Sequence, residues 1–288
     1  MQIVTWNTQW CKGNDGLVSP QRIVQGARAL ADFDVLCLQE ISVNYPSLTG
    51  RSDLDQPAAL GKLLPDFEIV FGPAIDEWTP GQPRRQQFGN VIASRLPILQ
   101  IQHLALPSPV TVGASGKPHP WMPRLCTVCT VKADWGPVRI MTTHLEYYSQ
   151  EQRLAQAQTL RALHQLACGH AVHPPLADGD SQDSPYQPKP HTTDAILCGD
   201  FNFEPHSDGY RALTDPAQPH PFMDSWSLIN TNVPHPPTFR LYDDTYGPDA
   251  VSCDFFFVSE SLATRVHHVS ADTVTQASDH QPVRISLA

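Results

Sequence analysis

Basic residues are scarce in this chain. Lys and Arg number 19 against 29 Asp and Glu in 288 residues, a formal charge of −10. Holding long nucleic acid by backbone neutralisation needs clustered cations, so this balance weighs against that class without speaking to a local groove. Long hydrophobic runs are also missing: no stretch approaches the roughly 18 apolar residues that cross a bilayer. The opening MQIVTWNTQW has neither a basic nor an apolar leader segment and reads as a first strand. The expectation is a soluble cytoplasmic protein with no stable membrane insertion. There is no H-E-x-x-H, no G-x-S-x-G, no G-x-x-x-x-G-K-[ST] and no second C-x-x-C beside Cys126 and Cys129. Those absences argue against a zinc protease, a serine hydrolase, a nucleotide-triphosphate motor and a zinc module.

Glycine is sparse relative to proline, 16 against 28. That much proline implies many fixed loops and excludes an all-helical architecture. The seven cysteines are odd in number, irregularly spaced and mostly set in apolar runs, as reduced, buried thiols would be. In LCTVCTV the strand period puts Cys126 and Cys129 on opposite faces. The hydrophobic share of 41% is enough for a sizeable core.

Along the chain, apolar strand candidates alternate with a few helical stretches. IVTW, DVLCLQE, FEIVFG, FGNVIAS, ILQIQHLAL, RLCTVCTVKA, VRIMTTHLE, AILCGDFN, CDFFFVS, ATRVHHVSA and PVRISLA read as strands. Residues 20–31, preceded by Ser19 as N-cap, 56–64, 149–167 closed by Gly169, and 207–213 read as helices. Residues 170–194, rich in Pro, Asp, Ser and His, read as a loop insertion. Hairpin-like neighbours mixed with strand–helix–strand units suggest α/β with mixed sheets buried between helices. His164, His170, His173 and His191 lack ordered spacing and are expected at the surface.

Polar residues recur at the ends of the apolar strands: Asn7, Glu40, His144 with Glu146, Asp200 with Asn202, Asp254, and Asp279 with His280. A strand buried on both faces has no structural need to end in a carboxylate. Several converging would make one polar pocket at one rim of a sheet pair. Hard oxygen ligands suit Mg²⁺ or Mn²⁺, and histidines beside them suit proton transfer and stabilisation of an anionic transition state. Metal-assisted attack of water on a phosphoester is the chemistry left standing. Each residue also has a structural reading: turn caps for Asp200 and Asn202, a hydrogen-bonded core pair for Asp254 and His280, a solvated strand end for Glu40.

WNTQ, LQE, FGNVIASRLPI, THLE, GDFN, CDFFFVS and SDHQPV, in that order, resemble the sequence blocks of the endonuclease/exonuclease/phosphatase family. The blocks run from Asn7 to Val283, so the resemblance implies one domain over residues 1–288. It also implies a four-layer αββα sandwich, two packed mixed β-sheets flanked by helices. It makes Glu40 the principal metal carboxylate, with Asn7 beside it and Asp279 binding directly or through water. Asp200 would orient or deprotonate the attacking water, and Asn202 would hold a phosphate oxygen. His280 would contact the scissile phosphate and transfer the proton, oriented by Asp254, and His144 would stabilise developing charge. Asn90 and Arg124, in weaker blocks, would support the metal site and the substrate. The chain departs from the family pattern at Met122-Pro123-Arg124, where an acidic residue often precedes the arginine, and it shows no acidic partner for His144. The expected activity is Mg²⁺- or Mn²⁺-dependent hydrolysis of a phosphoester by a monomer. A small molecule, nucleotide or lipid head group stands ahead of DNA or RNA as substrate, with nuclease action as the alternative.

Overall fold

The computed structural model describes residues 1–81, 84–113, 116–175 and 184–288. Two six-stranded sheets face each other. The first contains β1 (Gln2–Asn7), β2 (Val35–Val43), β3 (Glu68–Glu77), β4 (Gln86–Ser94), β11 (Val266–Ala271) and β12 (Val283–Leu287), in the order β11-β12-β1-β2-β4-β3. The second contains β5 (Ile98–Ala105), β6 (Leu125–Ala133), β7 (Gly136–His144), β8 (Ala195–Asp200), β9 (Phe222–Asp224) and β10 (Asp254–Ser259), in the order β5-β6-β7-β8-β10-β9.

Both sheets are mixed, with one parallel pair near the middle of each. In the first it is β1 with β2, and in the second β7 with β8. Parallel neighbours need a crossover, and helices supply it. α1 (Pro20–Leu30) joins β1 to β2, and α4 (Gln150–Val172) stands between β7 and β8. The short α2 (Pro46–Thr49), α3 (Gln56–Leu63), α5 (Asp208–Thr214) and α6 (Ser225–Ile229) complete the helices. Ser19, Ser149 and Ser207 cap α1, α4 and α5 by accepting the backbone N–H three residues on.

Strand alternation divides the core into layers. Cys37, Ile92, Cys129, Ile140, Cys198 and Phe256 point between the sheets. Leu36, Leu38 and Val91 point outward under Ile23 and Ala27 of α1 and Leu60 of α3. Met141, Leu197, Phe255 and Phe257 point outward under Leu160 of α4 and Leu213 of α5. With a helix on each outer face, the central strands are apolar on both sides, which is why they read as continuous hydrophobic runs. Cys126 and Cys129 fall in different clusters, on opposite faces of β6.

Three details differ from expectation. α4 does not stop at Gly169 but continues to Val172, because Gly169 keeps helical geometry and the chain leaves the helix only at His173, just before Pro174 and Pro175. The loop read over 170–194 therefore starts as helix; residues 176–183 lie outside the described residues, and 184–194 are irregular. His164 is not at the surface. It is buried between α4 and the outer face of the second sheet, where Arg139 Nη2 donates to its Nδ1 at 2.5 Å and Phe222 stacks on its ring at 4.4 Å. Its position on α4 faces the sheet, and the unpatterned histidine spacing carried no sign of that. No helix among the described residues is long and apolar enough to cross a membrane.

Candidate active site

The two parallel pairs bring four of the polar residues to one rim. β1 ends at Asn7 and its parallel neighbour β2 delivers Glu40 just past Gln39, the register partner of Asn7. In the other sheet His144 and Asp200 are direct register partners. Ligand sites form at the carboxyl ends of parallel strands, where loops diverge and leave a crevice.

Local backbone geometry aims these side chains. Between Leu38 and Ile41 the register of β2 slips against β4, and Glu40 in that bulge has φ 60°. A bulge re-aims one side chain, here into the rim. Gly199, before Asp200, has φ 134°, and a Cβ there would collide with the carbonyl oxygen of Thr143 on β7. Glycine is thus required for GDFN to follow its strand while β7 and β8 stay paired.

Asp200 is the meeting point. Its Oδ2 accepts from Asn7 Nδ2 at 2.9 Å and lies 3.4 Å from His144 Nε2 and 3.7 Å from His280 Nε2. Its Oδ1 accepts the backbone N–H of Asn202 at 2.9 Å. Asn202 Nδ2 donates to Leu145 O at 3.0 Å. Behind His280, Nδ1 pairs with Asp254 Oδ2 at 2.9 Å, and Phe239 stacks on the ring at 4.3 Å. Trp6 Nε1 donates to the His280 backbone carbonyl at 2.9 Å, so the imidazole is held on several sides.

The charges are set by these neighbours. Burial would lower the His280 pKa, but the carboxylates of Asp254 and Asp200 push it well above its ordinary value. His144 goes the other way, down to about 3, through burial and the nearby Arg124 charge. These opposite shifts favour the cation in His280 and the neutral ring in His144. Glu40 is pushed up to about 7 by burial and by Asp279, and burial also raises Asp279. Asn7 Nδ2 donates to Glu40 Oε1 at 3.1 Å and Gln9 Nε2 to Asp279 Oδ2 at 2.9 Å.

Two neighbouring hard carboxylates, both with raised pKa values and each held from behind by an amide, fit a hard divalent cation. Asp200, Cys253 and His280 also bring three potential ligand atoms close together. In that group burial pushes the Cys253 thiol well up, against the thiolate a metal would need, and His280 Nδ1 faces Asp254, with Nε2 towards Asp200. Asn7, expected as a metal ligand, lies at the centre of the cluster: its nitrogen bridges Glu40 and Asp200, and its oxygen accepts from Gln9 N at 3.1 Å.

Arg124 is buried in the cleft, with a Glu146 oxygen 3.5 Å from its Nε. Among the described residues, neither its Nε nor its Nη1 has a hydrogen-bond partner. Glu146, just beyond the strand that ends at His144, is the acid facing this arginine. Asn90 does not line the cleft. Buried between the sheets, its Nδ2 reaches Leu125 O at 3.4 Å, next to Arg124. His144 finds the acidic neighbours missing from its sequence block in Glu40, 3.7 Å from Nδ1, and Asp200.

The model of the Endonuclease/Exonuclease/phosphatase family matches residues 4–280. The chain belongs to this family. Among solved structures, this family member is similar over its whole length to an endonuclease/exonuclease/phosphatase from Beutenbergia cavernae, with 23% identity, 72% of that chain covered and a TM-score of 0.68. It is likewise similar to a mannosyl-6-phosphatase from Bacteroides thetaiotaomicron (17% identity, 99% of that chain, TM-score 0.67). A third is truncated TDP2 from Caenorhabditis elegans (15% identity, 97% of that chain, TM-score 0.62). At these identities the likeness speaks for the fold, the αββα sandwich. Among curated proteins no match is found.

The endonuclease/exonuclease/phosphatase cleft contains residues that the strand-end pattern did not signal. It measures about 290 Å³ and is also lined by Gln9, Trp10, Trp121, Met122, Tyr147, Tyr148, Phe239 and Tyr246. These lie outside the strands and α-helices, Gln9 and Trp10 in a single 3-10 turn, where no periodicity marks them.

Proposed function

We propose that this chain is a divalent-metal-dependent hydrolase of phosphoester bonds that works by in-line attack of water. The observation that carries the reading is the Asp200 carboxylate, buried and poised between His144, His280 and Asn7. An anion in that position can orient a water molecule and accept its proton. His280, kept charged by Asp254, donates from Nε2 to a phosphoryl oxygen or to the departing alcohol oxygen. Neutral His144 and the free N–H groups of Arg124 stabilise the charge that develops on the phosphoryl oxygens. Asn202 has its Nδ2 on Leu145 O, so it contributes through the amide hydrogen that remains and by anchoring Asp200. Glu40 and Asp279 would hold Mg²⁺ or Mn²⁺, which would supply Lewis-acid neutralisation of the phosphate. Asn90 and Asn7 act as positioning residues, the first beneath Arg124 and the second between Glu40 and Asp200.

A small substrate is supported by the rim. Of Lys12, Arg51, Arg84, Arg85, Lys117 and Arg124, only Arg124 lines the cleft. Arg51 pairs with Asp53, and Arg85 with Asp76. A groove for DNA or RNA would need more.

The test is release of phosphate or alcohol from a panel of phosphomonoesters and phosphodiesters with Mg²⁺, Mn²⁺ or EDTA. Asp200→Asn, His280→Gln and Asp254→Asn are each expected to lower kcat by about 10²–10⁴-fold with the fold retained by circular dichroism. Wild-type rates in Asp200→Asn, or no metal-dependent turnover of any ester, would overturn the reading.

A further inference from the structure

Resting on that hydrolase reading, we propose that the substrate is a small phosphoester carrying one phosphoryl group and one uncharged ring, with the ring stacked on the aromatic residues of the cleft. An unbroken aromatic wall leads outward from the catalytic imidazole. Phe239 stacks on His280 at 4.3 Å and 18°, Tyr246 follows Phe239 at 6.0 Å, Tyr147 follows Tyr246 at 6.1 Å, and Tyr148 meets Tyr147 at 5.0 Å. Trp10 and Trp121 enter the same cleft from two other segments. Trp121, Tyr148 and Tyr246 are 59%, 52% and 45% exposed, a concentration of large ring surface that the protein's own core does not use. Rings with a polar edge suit a ligand that offers a flat face and hydroxyl or carbonyl oxygens.

Charge limits the ligand to a single phosphoryl group. Arg124 is the only Lys or Arg among the residues lining the cleft, against Glu40, Glu146, Asp200 and Asp279. In the adjoining groove Arg153 donates to the carbonyls of Glu146 and Tyr147, and Arg240 to that of Tyr246. Glu204 and Asp208 line that groove as well, so it presents no surplus of positive charge. A polynucleotide brings one charge per phosphate, and each needs a cation that this rim does not provide. The volume of about 290 Å³ is at the lower end for small-molecule sites, enough for a ring and its phosphate.

Trp10 is placed at a conformational cost. Gln9, Trp10 and Cys11 have φ of 46°, 46° and 62°, three consecutive non-glycine residues in the left-handed region. Such residues cost about 1–2 kcal/mol each and persist where the surroundings hold them. Here Gln9 is tied to Asp279 and the Trp10 carbonyl accepts from buried Gln56. The Trp10 indole Nε1 is buried and has no partner among the described residues. Sugar monophosphates and nucleoside monophosphates share the required chemistry.

The test compares kcat and KM for a hexose 6-phosphate, a nucleoside 5′-monophosphate, ringless glycerol 3-phosphate and a single-stranded oligonucleotide. Wild type is set beside Trp121→Ala and Tyr246→Leu, and calorimetry follows binding of the non-hydrolysable phosphonate analogue of each ring ester. One ring ester is expected to exceed glycerol 3-phosphate by about tenfold or more in kcat/KM, and which one identifies the ring. Trp121→Ala should raise its KM about tenfold, far more than it shifts kcat or the KM for glycerol 3-phosphate. Preference for the oligonucleotide, parity of the ringless ester, or equal losses on all substrates in Trp121→Ala would overturn the proposal. If no ester is hydrolysed, the hydrolase reading fails by itself. The ring inference then stands or falls on whether a phosphonate binds wild type about tenfold more tightly than Trp121→Ala.

Discussion

Replacing His164 should make the protein markedly less sensitive to acid. Burial and the Arg139 charge pull this histidine down to about 3, so in the fold it stays neutral and accepts from Arg139 Nη2. In the unfolded chain its pKa returns to about 6.5. Below that value the unfolded chain takes up a proton that the folded one refuses, so stability falls as the pH falls, from about 6.5 towards the folded value, and is unaffected above it. At about 1.36 kcal/mol per pH unit, the loss between pH 6.5 and 5.0 is about 2 kcal/mol from this residue alone. His144 shifts in the same sense and His280, Glu40 and Asp279 in the opposite one, so it is the difference between wild type and variant that isolates this residue. The experiment is urea unfolding at pH 7.5 and 5.0, with EDTA throughout, for wild type and His164→Gln. Glutamine keeps an acceptor for Arg139 but loses the stack on Phe222, at a cost of about 1 kcal/mol at pH 7.5. The drop from pH 7.5 to 5.0 should be smaller in the variant by about 2 kcal/mol. An equal drop in the two proteins would refute the assignment of a buried, neutral His164.

Mg²⁺ or Mn²⁺ should raise the thermal midpoint of wild type and leave that of Glu40→Gln/Asp279→Asn unmoved in differential scanning fluorimetry, because a ligand bound only by the fold stabilises by mass action. The same double variant should be at least as stable as wild type in EDTA, since burial and nearby carboxylates already disfavour the two charges there. Gly199→Ala should destabilise by more than about 3 kcal/mol or prevent soluble expression, given its φ of 134° and the Thr143 carbonyl in the way. Ser149→Ala, which removes the α4 cap, should cost only about 1 kcal/mol by urea unfolding.

The sequence made most of the scaffold legible because the central strands are covered on both faces. DVLCLQ and AILCG had no polar alternation to explain, so they announced buried strands, and the residues that ended them stood out. Asn7, Glu40, His144, Asp200, Asp254, Asp279 and His280 could be picked from that contrast alone. What the contrast could not carry was anything set by tertiary approach. The pairing of Arg124 with Glu146 joins a loop end to a strand end, and neither spacing nor period relates them. The orientation of Asn7, nitrogen towards the carboxylates, depends on the Gln9 N–H that takes its oxygen. The aromatic lining comes from at least three loop regions, around Trp10, Trp121 and Tyr246, whose convergence is a property of the folded rim. His164 was misplaced for the same reason, because helix α4 faces a sheet and no ordered histidine spacing marks that face.

The acidic balance has its sharpest consequence at this rim. Each sheet brings its central parallel pair to the same edge, so carboxylates from both halves crowd into one place: Glu40 from the first sheet, Asp200 from the second, and Asp279 ahead of β12. Alone, such a cluster repels phosphate, and one buried arginine facing Glu146 does not reverse the sign. The fold answers part of this internally. Asn7 and Gln9 neutralise nothing, but they fix the oxygens, and His280 is held as a cation by Asp254. The remaining excess sits on Glu40 and Asp279, the two cleft carboxylates whose protonation is favoured by burial and by neighbouring carboxylates. A divalent cation there would convert the most repulsive corner of the cleft into its most attractive one. Substrate binding should therefore depend on the metal more steeply than folding does. In Glu40→Gln, equilibrium dialysis with a phosphonate analogue should show weakened binding that added Mg²⁺ does not restore, whereas in wild type Mg²⁺ should tighten it by about tenfold or more. Binding in wild type that is indifferent to Mg²⁺ would mean that Arg124 and His280 alone carry the anion, and the role given to the two carboxylates would have to be abandoned.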